Sequence, residues 1–143
     1  MRPRLVGSLI GIALLAFTVF PAGSSASGGS IVAEFHQVGH THIHGHVVLK
    51  QLDGGGTKIK VIAIGLKPGH EYVSLYYGND HCALEPYSDE DVIGGGAYTA
   101  RNTGVGRTNG IADDDLDEIY SVSVRDADTF RLLACAVVAP DED

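Results

Sequence analysis

The chain has no tryptophan, a single methionine at its first position and only two cysteines. Two cysteines are too few for a thiolate metal cluster or for the several bridges that brace very small secreted folds. Histidine is absent after His81, so any imidazole site must be assembled between His36 and His81. Cations are scarce, with 10 Lys and Arg against 18 Asp and Glu and a formal net charge of -8. A surface this acidic repels nucleic acid and anionic lipid, so neither is expected as a partner, and it concentrates metal cations instead. A Gly-x-Ser-x-Gly elbow is missing, which argues against a serine hydrolase. Convincing 3.6-residue periodicity is missing from Ser27 onward, which argues against a helical bundle.

One apolar run is present, from Leu5 to Phe20, preceded by Arg2 and Arg4 and followed by the small residues Ser24-Ser25-Ala26. It is short of the ~20 apolar residues that span a bilayer and has the layout of a secretory signal peptide. Residues 1–26 are therefore expected to be removed, leaving one domain over 27–143, with no membrane attachment after cleavage and a secreted or periplasmic location. Loss of Arg2 and Arg4, with no acid removed, takes the charge from -8 to -10. In such an oxidising compartment Cys82 and Cys135 point to one disulfide.

The pattern after the leader is period two. Strands are expected at 31–38, 44–51, 58–66, 70–78, 97–102, 118–125 and 132–138, with "LDGGGT" (52–57) and "KPG" (67–69) as turns. Residues 79–96 form the chief irregular insertion, and Cys82 lies inside it. Seven or so short strands imply an all-β sandwich or Greek-key barrel. The acidic run "ADDDLDEIY" lacks the Gly and Glu spacing of a calcium-binding EF-hand and reads as a solvated turn. "GVGRTNG" follows no clear strand and opens no helix, so its glycines do not suggest a phosphate loop.

Gly45-His46-Val47-Val48-Leu49, Gly65-Leu66-Lys67-Pro68-Gly69 and Leu133-Ala134-Cys135-Ala136-Val137, with Cys82 between them, resemble the copper/zinc superoxide dismutases, particularly the exported bacterial ones. The resemblance implies their Greek-key β-barrel fold and a bond between Cys82 and Cys135. It also implies copper ligands in His-x-His spacing on the strand after Pro68-Gly69. That strand is "HEYVSLYYG", which offers Val73 and Leu75, or Ser74 and Tyr76, at those positions. The remaining histidines and the zinc ligands have no counterparts, and Arg131 stands one residue out of step with the family's catalytic arginine. Dismutase activity is accordingly not expected. "LKPGHEY" also fits a fibronectin type III motif, with Tyr72 as its corner tyrosine, but the missing tryptophan and the cysteine pair favour the dismutase-like fold.

What the chain does offer is "GHTHIHGHVVLK", with His40, His42, His44 and His46 at alternate positions. Side chains at i and i+2 of a strand share a face about 7 Å apart, and imidazole is a common ligand for copper and zinc. These four are the candidate metal ligands, with His36, His70 and His81 able to join. Three readings stand side by side: a secreted dismutase-like barrel binding copper or zinc through this cluster, an inert scaffold or interaction domain, and a dismutase with a rebuilt copper site.

Overall fold

A computed structural model describes residues 29–138. The expected signal peptide over 1–26 and its cleavage point lie outside these residues. The described chain is all-β, with nine strands in one nearly closed antiparallel barrel sheet and three single turns of 3-10 helix. The strands are β1 (Ser30–Gln37), β2 (His44–Gln51), β3 (Thr57–Ile64), β4 (Glu71–Val73), β5 (Tyr76–Tyr77), β6 (Tyr98–Thr99), β7 (Gly106–Ala112), β8 (Ser121–Asp126) and β9 (Leu132–Val137). Their order is β6-β4-β8-β9-β1-β2-β3-β7, with β5 also pairing β8.

Alternation along each strand divides core from surface. Ala33 and Phe35 of β1, Val47 and Leu49 of β2, and Ile59, Val61 and Ala63 of β3 point inward and are buried, facing Val122, Val124, Ala134 and Ala136 from β8 and β9. Each large aliphatic among them contributes about 1.5–3 kcal/mol by leaving water. Strand β1 serves two neighbours. Residues 30–34 pair with β2, and from Phe35 to Gln37 the strand pairs with β9 instead.

Strand β7 falls on the "GVGRTNG" segment and corrects the expectation that no strand lay there. Its core-facing positions are Gly106, Thr108, Gly110 and Ala112, and large apolar side chains are excluded by close neighbours. A Cβ on Gly110 would stand 2.6 Å from the Gly94 backbone nitrogen, and one on Gly106 2.5 Å from Leu66 Cδ1. The space that a strand's own side chains usually fill is taken by the neighbours, so the hydrophobic signal vanishes. The expected strand over 70–78 is divided into β4 and β5, because the Ser74 carbonyl accepts from Ile93 and the Leu75 N–H donates to Ser123 Oγ.

The insertion over 79–96 covers the outer face of β8. Leu75, Tyr77 and Cys82 form a second apolar cluster there with Val73, Val92, Phe130, Leu132 and Cys135. Under this cover Ser121, Ser123 and Arg125 are all buried. Cys82 and Cys135 are bonded. The Tyr72 hydroxyl accepts the Lys67 N–H at 2.9 Å, the corner contact that "LKPGHEY" suggests.

Candidate metal-binding site

The histidines do not continue one strand. β2 begins at His44, whereas His40 sits in a bend and His42 takes a left-handed φ of 58° that interrupts the alternation. Such a φ is uncommon outside glycine; Gly39, at φ 70°, shares the turn. His40, His42 and His44 are exposed and His46 is partly so.

His44 and His46 point outward from β2, since Val47 and Leu49 point inward. Glu34 of β1 is the direct cross-strand partner of His46. Beyond that pair β1 turns away to β9, so His44 has no partner on that side and an open hollow is left, lined by Val32, Glu34, Phe35, His44, Gly45 and His46. Opposed residues of an antiparallel pair stand about 5 Å apart at Cβ, close enough for both to reach one ion. Gly45 is held between the two histidines at φ 126°, and a Cβ there would collide with the Ile62 carbonyl oxygen. Glycine is thus required at the one position where the β2 backbone approaches β3 beside the hollow.

In the described conformation the four histidines are not gathered on a point. The group of His, Cys, Asp or Glu ligand atoms that lies within 4.8 Å of one another among the described residues is His70, Asp126 and Asp128. That trio is already engaged in holding a turn. His70 Nε2 is 2.8 Å from Asp126 Oδ2, while Asp126 Oδ1 accepts the N–H groups of Asp128 at 2.8 Å and Thr129 at 3.0 Å. The Thr129 N–H foremost, then His70 and the Asp128 N–H, hold the Asp126 carboxyl down to about 2. His81 is exposed and lies 3.0 Å from Asp80, and His36 is exposed on β1.

The positions at which the resemblance implies copper ligands are taken up by packing. Val73 and Leu75 belong to the second apolar cluster, and Ser74 Oγ lies 2.8 Å from the Tyr98 hydroxyl, whose pKa burial pushes up to about 12. Tyr76 borders an acidic hollow with Glu85, Tyr87, Asp91, Asp114 and Glu118; burial, then the Asp114 and Asp91 carboxylates, push its phenol up. In the acidic turn, Asp115 accepts from Gly56 N–H at 2.8 Å and Gln51 Nε2 at 3.0 Å, and these bonds lower its pKa. Asp115 therefore fastens the β2–β3 turn.

Arg131 is exposed, whereas Arg125 of β8 is buried. Arg125 donates to Tyr77 Oη, Phe130 O and Cys82 O at 2.8, 2.8 and 2.9 Å, and its guanidinium lies 5.3 Å from the Phe130 ring centre. Those neutral acceptors make it a tie between β8, the turn at Phe130 and the disulfide loop. Its place in a valine–serine strand gave no sign of that, because the covering loop is distant in sequence.

Comparison with protein-family models and with curated protein sequences finds no match for this chain. Among the described residues no helix is long and apolar enough to cross a membrane.

Proposed function

We propose that the protein is an exported barrel of the copper/zinc superoxide dismutase-like type, without a dismutase centre, that binds copper(II) or zinc on the outside of its sheet through His44 and His46, with Glu34 as third ligand. The observation that carries this reading is the departure of β1 from β2 after Glu34, which leaves both imidazoles facing an open hollow opposite a carboxylate. Two imidazoles and one carboxylate suit a borderline divalent ion and leave positions for water. The side chains of His44 and Glu34 are exposed and that of His46 partly so, which leaves room for them to turn towards an ion in the hollow. His40 and His42 stand beyond the strand end and are not needed for this set.

The barrel type is supported by the strand order, in which the β3–β4 and β7–β8 connections cross between the two halves of the sheet, as Greek-key chains do. Copper dismutation uses a redox ion held by several imidazoles with one position open to the anion; either register of the strand after Gly69 supplies Val, Leu, Ser or Tyr. Titration calorimetry of zinc into the protein tests the proposal. Binding should be lost in His44→Ala/His46→Ala, weakened in Glu34→Gln and retained in His40→Ala/His42→Ala. No heat of binding in the parent protein removes the metal reading and leaves the inert scaffold. Copper-loaded protein that dismutates superoxide well above free copper favours the rebuilt enzyme instead.

A further inference from the structure

The outer face of β2, β3 and β7 carries Lys50, Lys58, Lys60 and Arg107, all exposed, in a chain with only 10 Lys and Arg. Lys50 lies directly opposite Lys58; Lys60 is two residues along β3, and Arg107 opposes Ile62, two residues further still. With strands ~4.8 Å apart and ~3.4 Å per residue, the four stand on a diagonal stripe roughly 17 Å long. Directly opposed like charges destabilise a sheet. No ion pair among the described residues offsets this, for those found there are His70–Asp126 and His81–Asp80. Strands β2, β3 and β7 contribute no carboxylate; Glu34 stands on the neighbouring β1, while Asp53 and Asp113 follow β2 and β7 at one end.

We propose that this stripe binds a linear polyanion, namely an acidic polysaccharide bearing carboxylate or sulfate groups. The charges are arranged in a line across an outward sheet surface, which suits an extended chain touching several points. Apart from the imidazoles of its histidines the face carries no aromatic side chain among its outward residues, so it lacks the Phe, Tyr or Trp stacking platform that single-stranded nucleic acid uses. The acidic groups elsewhere on the molecule oppose such a ligand weakly, since exposed charges beyond ~8 Å are screened at physiological salt. The net charge thus conceals a local cationic stripe, and this inference does not rest on the metal reading.

The test is calorimetry of the protein, in chelator and starting from physiological salt, where the distant acids are screened, with a size-defined sulfated uronate octasaccharide. Binding is expected, weakening steeply as salt rises, and Lys58→Glu/Lys60→Glu should reduce affinity by at least about tenfold. Lys67→Glu, an exposed lysine in the turn after β3, should leave it within about twofold. Lys58→Glu sets an opposite charge facing Lys50, so the double variant should melt no lower than the parent, and a lost affinity cannot be ascribed to unfolding. Absence of binding, an equal loss in Lys67→Glu, or tighter binding of a single-stranded oligonucleotide of the same charge would each overturn the proposal.

Discussion

Replacing both bonded cysteines should cost the fold about 4 kcal/mol. Cys82 and Cys135 are 53 residues apart, and closing a loop of that length removes about 14 cal/mol/K of entropy from the unfolded chain, or about 4 kcal/mol at room temperature. Cys82 has φ 54°, and a left-handed backbone costs a non-glycine residue roughly 1–2 kcal/mol. Cys82→Gly/Cys135→Ala should therefore recover about 1 kcal/mol relative to Cys82→Ala/Cys135→Ala. Against a total stability of order 5–15 kcal/mol, the Ala pair should lower the melting midpoint by on the order of 15 °C. The assay is guanidinium unfolding followed by far-UV circular dichroism, with thermal melts alongside. Alkylation before reduction should first show both thiols unavailable. A change below about 1 kcal/mol in the Ala pair would refute the reasoning, because the bond would then not restrain the segment 79–96.

Arg125→Met should destabilise by about 3 kcal/mol in chemical denaturation, since it strips the donor from Cys82 O, Phe130 O and the Tyr77 hydroxyl at once; Arg125→Lys should also lose most of this, as an ammonium cannot span three acceptors in a fork. Asp126→Asn should cost about 1 kcal/mol after allowance for solvent screening. Because the Asp126 pKa is depressed to about 2, that contribution is present above pH ~4, the range where the unfolded carboxyl is ionised, and is lost as the pH falls through about 2; paired acid titrations of stability should converge there. Gly45→Ala should unseat β2 from β3, since its Cβ would meet the Ile62 carbonyl oxygen, with a loss of at least about 2 kcal/mol and of metal uptake together. Amino-terminal sequencing of exported protein should read from Ser27, and a retained Leu5–Phe20 run would contradict the signal-peptide expectation.

The strands with ordinary alternation were legible from the residues. β2 starts and stops where "HGHVVLKQ" does, and β1, β3 and β9 fall within one or two residues of their expected limits. β7 was hidden because two of its four inward positions are glycines packed against Leu66, Tyr98 and Gly94 and the others are Thr108 and Ala112, so the cue of strand burial is carried by other segments. The alternating histidines read as one series of four. Two positive φ angles, at Gly39 and His42, split it and leave His44 and His46 on the strand. Glu34 gave no sign of being a candidate ligand, because a glutamate on the outward side of a strand is ordinary until the partner strand is placed and the β1–β2 register opposes it to His46. The lysine stripe was obscured similarly: its members are spread over three strands and outweighed in the total charge by 18 acids.

Electron paramagnetic resonance of the copper(II)-loaded protein tests the metal site most directly. At a pH above imidazole protonation, the account predicts a spectrum with nitrogen couplings from two imidazoles, unchanged in His40→Ala/His42→Ala and lost in His44→Ala/His46→Ala. Nitrogen couplings that survive in His44→Ala/His46→Ala, or copper that gives only the spectrum of the free ion, would contradict it.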